Sequence, residues 1–593
     1  MIVPMKKVSI LVQAHEAEPT ISALRTLGVL HVEHHQAPAG SHVQQLRDDI
    51  ALIANAETIL ADPGLMIAAG KQSQEAPSDW KFVCHHLIEL RKRLEQLEEY
   101  SRTLTLRISD WERWGDFDPD AVVRLREKNI FVRLYEIPVK EVATVPGRVI
   151  CKVVFTSGGI AHCVVIASDN SELAFKEVSL PKLGLSAMRA RLYEDGRMMQ
   201  IIKDDICKHM AYRKTLTARR KDFESKLEFH EALAGMGQEG AVSYLTGYVP
   251  VSDIQVVEAA AQKKRWGLLI QDPSEEDIVP TLLKNPRWVT LIKPLFNLLG
   301  ITPGYRELDV SLLFLVFFSL FFGILIGDAG YGLAYFLLTA WFQKKKGKQG
   351  NNAHVFLFFY LLSSCAMVWG LLTGTFFGQG WLASIGIKPL VPALNDALTM
   401  QAICFAIGVV HLSIAHSWRA ALKFPHPSAL ADIGWVCLVW TGFFLARTLI
   451  LNQPFPVFAG WLLALGVVFV LFFTNPQRNI VKSLGEGFTA TGFGIGLMNN
   501  LSDIISYIRL FAVGLAGVSI AETTNAMAAS LGRGVTAVIA GSLIIVVGHL
   551  LNIVLGPMSV LVHGLRLNVL EFSMHANVTW NGIVYRPLKE MSS

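Results

Sequence analysis

The segments SYIRLFAVG at residues 506–514 and HGLRLNVLE at residues 563–571 each place one arginine among apolar residues. These arginines, Arg509 and Arg566, lie in apolar runs long enough to span a lipid bilayer. A guanidinium group stays ionised in proteins, and an ionised group is costly in the hydrocarbon of a membrane. Such residues usually face other helices or water and mark the path of an ion or a substrate. The two segments therefore predict a membrane domain with a charged functional site.

Charge is distributed unequally along the 593 residues. Residues 1–302 contain 38 Lys and Arg and 39 Asp and Glu, whereas residues 303–593 contain 16 and 10. We therefore expect a soluble first half and a membrane-embedded second half. The net charge of +5 belongs to the hydrophobic half, where basic residues usually mark cytoplasmic loops. This distribution gives no reason to expect a nucleic-acid partner.

The sequence shows no evident targeting segment and no cofactor motif. The N-terminal MIVPMKKVSILVQAHE has too short an apolar run for a secretory signal, so we expect the first half to remain in the cytoplasm. The seven cysteines are odd in number and form no CxxC pair, which argues against a disulfide framework or a zinc site. No GxxxxGKS or GxxxxGKT motif occurs, so we expect no nucleotide, other cofactor or metal on this chain.

The first half contains strand-like and helical patterns. Strands are predicted at residues 6–13 and 29–32, around a helix at residues 18–27. Between residues 87 and 111 apolar residues recur at alternating spacings of three and four, broken only by Ser101, as in a coiled-coil seam. Weaker heptads return between residues 199 and 227. An ordinary helical domain with amphipathic faces is the alternative interpretation of these helices.

These patterns predict a cytoplasmic dumb-bell of two α/β lobes joined by an antiparallel coiled coil. The FVRLYEI, RVICKVVFT and HCVVIAS segments between residues 131 and 168 supply the strands of the second lobe. The predicted cytoplasmic domain is residues 1–306, with the proximal lobe starting at 1–80, coiled-coil arms at 82–114 and 187–235, a distal lobe at 115–186, and a return to the proximal lobe and linker at 236–306.

Residues 307–593 contain eight apolar runs, at about 308–327, 329–342, 355–376, 400–418, 433–451, 457–474, 487–530 and 535–572. Joined as one helix, the first two runs would measure about 52 Å, which exceeds a hydrocarbon core of about 30 Å. Two helices with a tight turn are the better interpretation, and they bring the number of crossings to eight. The last two runs predict long, tilted helices at residues 485–530 and 535–576.

Basic residues in the loops support eight crossings. With a cytoplasmic N-terminus, this topology places ten basic residues inside and three outside, as the positive-inside rule requires. A seven-helix topology would move the later loops to the other side. The inside residues are Lys344, Lys345, Lys346, Lys348, Arg419, Lys423, Arg478, Lys482, Arg586 and Lys589, and the outside residues are Lys388, Arg447 and Arg533.

Each arginine belongs to a stripe of small or polar residues at spacings of three and four. Such stripes favour close helix approach and water rather than lipid. The alternative is that each arginine forms a salt bridge inside the bundle, with Asp503, Glu522 or Glu571 as its partner. The first stripe is Arg509, Ala512, Ala516, Ser519 and Thr523, and the second is Asn552, Gly556, Ser559, His563 and Arg566.

The sequences SDIISYIRLFAVGLAGVSIAE and GPMSVLVHGLRLNVLEF closely resemble the last two transmembrane helices of subunit a of the V/A-type rotary ATPases, called subunit I in prokaryotes. FFGILIGDAGYGL, GLLTGTFFG, PTLLKNPRW and LTGYVP widen the resemblance. It implies an α-helical, multi-pass membrane stator in a prokaryotic inner or plasma membrane. The stator stands beside a rotating ring of c subunits whose carboxylates carry protons or sodium ions. ATP is made or hydrolysed on partner subunits.

The resemblance implies that Arg509 and Arg566 release the ion from the ring and prevent a leak between two half-channels. Ala512 and Ala516 would let the ring pass close by. Several family members carry a half-channel glutamate and histidine where this chain has Gly556 and Gly517. Other polar residues must then line the half-channels, and the candidates are Asn499, Asn500, Asp503, Ser519, Glu522, Asn525, His563, Asn568 and Glu571.

The implied partners are the c-ring proteolipids, the peripheral-stalk subunits, the central-stalk socket subunit, the ATP-hydrolysing head through the stalks, and the lipid bilayer. Structural alternatives remain for three residues: His563 as a satisfied core histidine, Glu571 as a residue that orients Arg566, and Asp328 as a turn cap. Two other functions also remain open. A secondary transporter would bind an anion at the arginines, but the chain shows no inverted repeat. A membrane scaffold would explain the rod but leave the arginines without a role.

Overall fold

The computed structural model describes residues 1–62, 79–169, 173–346, 353–378, 389–476, 480–490, 493–532 and 534–590. The chain forms two compact units. The N-terminal unit is Ile10–Thr246 with Leu588–Ser593, and the membrane unit is Met1–Ser9 with Gly247–Pro587. Lys348, Lys388, Arg478 and Arg533 of the predicted topology lie outside the described residues.

The strands are β1 (Met5–Gln13), β2 (His31–Glu33), β3 (Phe131–Pro138), β4 (Ile150–Ser157), β5 (Ile160–Ala167), β6 (Lys176–Val178), β7 (Gly237–Glu239), β8 (Val242–Pro250) and β9 (Gly267–Gln271). One sheet has the order β2-β8-β1-β9 with β7 on β8, and the other has the order β4-β5-β3-β6. The predicted strands at the N-terminus and between residues 131 and 168 are therefore present. The boundary between the two units falls within β1 and β8.

The helices of the N-terminal unit are α1 (Ala17–Leu27), α2 (Ser41–Leu60), α3 (Trp80–Trp111), α4 (Pro119–Glu127), α5 (Leu185–His209) and α6 (Arg213–Ala234). Helices α3 and α5 run antiparallel, because Glu112 pairs with Arg189 at 2.6 Å and Glu98 pairs with Lys203 at 3.2 Å. The predicted seam residues Leu87 and Leu94 are buried together with Ile202 and Ile206. The dumb-bell shape itself stays a prediction.

The second predicted arm is not one continuous helix. A 3-10 turn at Met210–Tyr212 separates α5 from α6. Helix α6 packs against α2, where Glu57 pairs with Arg220 at 2.8 Å and Glu231 pairs with Arg47 at 2.6 Å. Helix α2 was not predicted from the sequence as a neighbour of the second arm.

The distal sheet is antiparallel, with β5 between β3 and β4. Gly158 and Gly159 join β4 to β5 with φ angles of +60° and +81°. Two consecutive positive φ angles suit a two-residue hairpin turn and favour glycine. Tyr135, Ile137 and Cys163 form the buried side of this sheet.

The helices of the membrane unit are α7 (Ile254–Lys264), α8 (Lys293–Leu299), α9 (Ser311–Ile326), α10 (Ala329–Lys346), α11 (Ala353–Thr373), α12 (Ala397–Lys423), α13 (Ala429–Leu451), α14 (Val457–Phe473), α15 (Ile480–Ala490), α16 (Phe493–Ser506), α17 (Ile508–Ser530), α18 (Val535–Ser559) and α19 (Ser573–Ala576). Within the described residues, five helical spans are long and apolar enough to cross a membrane, or six if α9 and α10 form one span. Helix α14, with 17 residues, is shorter. Eight crossings stay a prediction.

Helices α9 and α10 are separated by a bend of 119°, which agrees with two helices rather than one continuous helix. Gly327 ends α9 with a φ angle of +64°, a conformation that glycine adopts without a steric penalty. The fully buried Asp328 accepts hydrogen bonds from four backbone N–H groups, those of Gly330, Tyr331, Phe377 and Gly378, at 2.7 to 3.2 Å. Asp328 thus caps the turn, as its structural interpretation predicted, and also fixes the loop after α11.

The last long helix changes its winding after Ser559. Pro557 has no N–H group to donate to the Ile553 carbonyl, and the Tyr335 hydroxyl donates to that oxygen instead, at 3.0 Å. Two π-helical segments follow, Val560–Gly564 and Leu567–Phe572. A π-helix has more residues per turn than an α-helix. The spacing of three and four on which the second stripe was predicted does not apply to these segments, so a common face for His563 and Arg566 stays a prediction.

Aromatic side chains hold the membrane unit together around α17. Phe314 and Phe321 of α9, Phe405 of α12, Tyr507 and Leu510 are fully buried in one apolar cluster. The Tyr507 hydroxyl lies 2.9 Å from Nδ1 of the buried His411. This packing fixes the first turn of α17, which carries Arg509.

Candidate functional site

Arg509 lies in the first turn of α17 and forms an ion pair inside the chain. Its Nη2 atom donates to Oε1 of Glu571 at 2.5 Å, and its Nε atom donates to the Ser506 carbonyl at 2.9 Å. The Glu571 side chain is 4% exposed and the Arg509 side chain is 20% exposed. A buried carboxylate needs a cation or several hydrogen-bond donors, and Arg509 provides the cation.

Arg566 shares the same carboxylate but is much more open. Its Nε atom lies 3.4 Å from Oε1 of Glu571, and its side chain is 57% exposed. The Ser506 hydroxyl also donates to Oε1, at 3.3 Å. Among the three predicted partners, Glu571 is therefore the carboxylate that pairs with the arginines in the described part of the chain. Its predicted role of orienting Arg566 extends to Arg509.

The small-residue stripe of α17 is open. Ala512, Ala516, Ser519 and Thr523 are all exposed. They continue along the helix from Arg509, so the guanidinium stands at one end of a face without large side chains. Such a face permits close approach by another helix.

A series of hydrogen-bonded polar side chains begins at Asp503, which precedes Arg509 in the sequence. Oδ2 of Asp503 is 3.0 Å from Nε2 of His575, whose Nδ1 atom is 2.8 Å from Nε2 of the buried His416. Arg419 donates to the His575 carbonyl at 3.0 Å and pairs with the buried Asp432 at 3.2 Å. We call Asp503, His575 and His416 the first polar cluster. Hydrogen-bonded imidazole and carboxylate groups of this kind can pass protons.

A second polar cluster, formed by Tyr331, His549 and Asn525, lies near the other end of α17. Nδ1 of His549 is 2.6 Å from the Tyr331 hydroxyl, and its Nε2 atom is 3.1 Å from Oδ1 of Asn525. Asn525 donates to the Phe377 carbonyl at 2.8 Å. Sixteen residues separate Arg509 from Asn525, or about 24 Å along a helix.

The other predicted half-channel residues occupy different surroundings. Asn500 is buried, and neither amide atom has a hydrogen-bond partner within the described chain. Asn568 is fully buried and donates to the Gly564 carbonyl at 3.2 Å, which is a helix-internal contact. His563 is half-buried and close enough to both arginines for an electrostatic interaction with them. Asn499, Ser519 and Glu522 are exposed.

Glu522 lines a cavity of about 440 Å³ beside α17. Gly514 and Val518 of α17, Thr373 of α11 and Met400 of α12 form other parts of its wall. Glu522 is the acidic residue in a largely apolar lining. The cavity gives this part of α17 an opening large enough for several water molecules.

Gly556 lies in tight surroundings, whereas a methyl group at Gly517 would meet Oδ1 of Asn552 at an ordinary distance of 3.7 Å. Asn552 donates to the Gly517 carbonyl at 2.8 Å. A methyl group at Gly556 would come within 2.9 Å of the Tyr335 hydroxyl and the Ile326 side chain. Tyr335 and Asn552 therefore supply polar atoms beside Gly556 and Gly517.

Sequence reasoning missed four residues of the two clusters: His416, His549, His575 and Tyr331. Two of them carried a local signal. His575 lies four residues after Glu571, and His549 lies three residues before Asn552, which are helical spacings. His416 and Tyr331 contact partners 159 and 218 residues away, so no local pattern indicates their role.

The chain is similar to curated proteins over its whole length. It is 30% identical over 621 residues to V-type ATP synthase subunit I of Borreliella burgdorferi and 30% identical over 634 residues to V-type ATP synthase subunit I 1 of Treponema pallidum, with 100% of both chains covered in each case. It is 28% identical to A-type ATP synthase subunit I of Pyrococcus abyssi over 55% of this chain and 51% of that protein.

No family model matches the chain. Among solved structures, the crystal structure of the cytoplasmic N-terminal domain of subunit I, homolog of subunit a, of V-ATPase aligns with 45% of this chain and 99% of that domain, at 13% identity and a TM-score of 0.24. The full-length similarity to the Borreliella and Treponema proteins identifies the family. The chain belongs to the subunit I family of V/A-type ATP synthases and is a membrane subunit of such a rotary enzyme.

Proposed function

We propose that this chain is the ion-translocating stator subunit of its rotary ATPase, with Arg509 and Arg566 facing the carboxylates of a rotating c ring. The arginines would favour the ionised form of each arriving carboxylate and so release its ion. Their charge would also oppose direct passage of a cation between the two half-channels. ATP hydrolysis or synthesis would take place on partner subunits.

The observation that carries this proposal is the position of Arg509 and Arg566 at the end of an exposed small-residue face. Arg566 keeps more than half of its side chain accessible in an apolar segment. An ion pair with so exposed a side chain contributes little to stability, so the charge of Arg566 remains available to a partner. The open face of Ala512 and Ala516 supports close passage of a ring helix.

The two polar clusters support two half-channels on opposite sides of the arginines. The first cluster lies near Arg419 and Lys423, which the positive-inside rule assigns to the cytoplasmic side. The second cluster and the cavity at Glu522 would then open toward the opposite side. A proton taking this route would need transfer at the ring to move from one cluster to the other.

The proposed partners follow from the family. The membrane unit would contact the c-ring proteolipids, and the cytoplasmic N-terminal unit would contact the peripheral-stalk and central-stalk socket subunits. The antiparallel helix pair α3 and α5 would brace the stator against the torque of the rotor. The ATP-hydrolysing head would be reached through the stalks.

Replacement of either arginine tests the proposal. Arg509→Ala and Arg566→Ala variants, each in the assembled complex in lipid vesicles, should lose ATP-driven ion uptake by at least about tenfold. Their head and stalk subunits should still co-purify with the membrane subunit. Arg447→Ala is the matched control, because Arg447 bonds to Gln453 at the end of α13 and should transport within about twofold of wild type.

The rival functions give different results. If the chain were a scaffold, the Arg509→Ala complex would assemble and its ion uptake would not depend on Arg509. If the chain were a secondary transporter for an anion, Arg509→Ala would abolish an anion flux that does not require ATP. Normal ATP-coupled uptake by an assembled Arg509→Ala complex would show that the assigned role of Arg509 is wrong.

A further inference from the structure

We infer that Glu571 is a resident counter-ion that sets the net charge of the stator site to +1, so that the site holds one ionised ring carboxylate at a time. This inference rests on the proposed function. It also assigns different roles to the two arginines, with Arg566 presenting the available charge and Arg509 neutralised by Glu571 until a ring carboxylate arrives.

Glu571 is placed to neutralise one arginine but not both. A single oxygen, Oε1, receives Nη2 of Arg509 at 2.5 Å and lies 3.4 Å from Nε of Arg566. The shorter contact has hydrogen-bond geometry to a charged donor, whereas the longer one is only an electrostatic contact. The triad of two guanidinium groups and one carboxylate therefore has a formal charge of +1.

Burial shows which charge is available. The Arg509 and Glu571 side chains are 20% and 4% exposed, whereas the Arg566 side chain is 57% exposed. A partner at the surface of α17 and the π-helical segment would therefore meet Arg566 first. The two π-helical segments flank Arg566.

Asp503, the next carboxylate along α16, is engaged elsewhere. Its Oδ2 atom lies 3.0 Å from Nε2 of His575, and no ion pair with either arginine occurs in the described chain. His563 lies near both guanidinium groups and carries no negative charge. The triad charge is therefore set by Glu571.

Charge decides how tightly a ring carboxylate is held. At +1, one ionised carboxylate neutralises the triad and can leave when the next arrives. Without the Glu571 charge the triad would be +2, and its attraction for a carboxylate would be stronger in the low dielectric of a membrane protein. Without the Arg566 charge the triad would be neutral, and it would no longer repel a passing cation.

Three substitutions test this inference in the assembled complex in lipid vesicles. Glu571→Gln keeps the shape and a hydrogen-bond acceptor, and it should slow ATP-driven uptake about tenfold without increasing passive ion leak. Glu571→Asp keeps the charge and should transport faster than Glu571→Gln. Arg566→Gln changes an exposed side chain and should raise passive leak about fivefold when ATP hydrolysis is inhibited. Glu276→Gln, at an exposed carboxylate outside the helices, is the control.

The outcomes separate this inference from the proposed function. If the arginine-to-alanine variants lose transport but Glu571→Gln transports at the wild-type rate, only the counter-ion role is wrong. Equal loss in assembled Glu571→Asp and Glu571→Gln complexes would also overturn it, since a structural role does not depend on charge. If Glu571→Gln fails to assemble, Arg566→Gln decides, and an unchanged leak contradicts the inference.

Discussion

At the scale of single residues, one carboxylate makes two similar arginine motifs unequal. Arg509 and Arg566 each lie in an apolar segment with leucine on at least one side, and no local pattern distinguishes them. In the fold, Arg509 is held by Glu571 and the Ser506 carbonyl, whereas Arg566 lies between two π-helical segments and is more than half exposed. The sequence predicts that both charges matter, but their division of roles depends on a contact across 62 residues.

The ion pair between Lys7 and Asp277 should make the membrane unit sensitive to acid. Lys7 donates to Asp277 at 2.7 Å, and this hydrogen bond, against a smaller effect of burial, lowers the pKa of Asp277 below its usual 3.8. Because the pKa is lower in the folded state than in the unfolded state, the ionised carboxylate stabilises the fold at pH values above the unfolded pKa. That contribution is lost as the pH falls through the folded pKa. Asp277→Asn should therefore lower the unfolding free energy at pH 7 by about 1 kcal/mol.

Thermal unfolding of the full chain in detergent between pH 7 and pH 2.5 measures this effect. The difference between wild type and Asp277→Asn should shrink as the pH falls below about 3.8, because the unfolded carboxylate takes up its proton there and the folded carboxylate does so only at lower pH. Glu276→Gln, at the neighbouring exposed carboxylate, is the control and should show little difference at any pH. A difference that stayed constant down to pH 2.5 would mean that the charge of Asp277 is not the source of the stability.

At the scale of helices, α11 packs closely against the turn between α9 and α10, and this contact positions the region beside α17. Gly370 of α11 lies against this turn, and a methyl group there would come within 2.0 Å of the Ala329 nitrogen and 2.6 Å of the Asp328 carbonyl carbon. Both are backbone atoms whose positions are fixed by the hydrogen bonds to Asp328. Gly370→Ala should therefore destabilise the membrane unit by more than about 2 kcal/mol.

Gly460 of α14 provides the matched control, because a methyl group there meets no atom within 4 Å. Gly460→Ala should be neutral or stabilise its helix by up to about 1 kcal/mol. Thermal aggregation of both full-length variants in detergent compares the two changes. Equal midpoints would show that α11 can move away from the turn at little cost, in conflict with tight packing at Gly370.

Elements were predictable where the signal was local. Apolar residues recur every three or four positions in α3, and β-branched residues recur within a few positions in β3 and β5. These elements occur where the sequence placed them. The contact of His416 with His575 joins residues 159 positions apart, and such pairs leave no period to detect. The π-helical segments were also missed. Pro557 was a local sign of irregular winding, but it does not indicate how many residues are added per turn.

At the scale of the whole molecule, membrane topology determines whether the two polar clusters open to opposite sides. Helix α17 separates Asp503, just before its start, from Asn525, near its end. If the helix crosses the bilayer once, the first cluster and the second cluster cannot share one water compartment. The direction of this crossing depends on whether α9 and α10 cross separately or form one bent span.

Cysteine labelling should resolve this topology. Eight crossings place Gln343 and His426 on the cytoplasmic side and Gln453 and Ser530 on the opposite side, because ten basic loop residues then remain inside. Single cysteines at these exposed positions, in a chain whose native cysteines are replaced, would be treated with a membrane-impermeant maleimide from either side. Thr103→Cys, on exposed α3, is the cytoplasmic reference. If α9 and α10 formed a single crossing, all four positions would label from the side opposite to the one expected, and the first cluster would face outward.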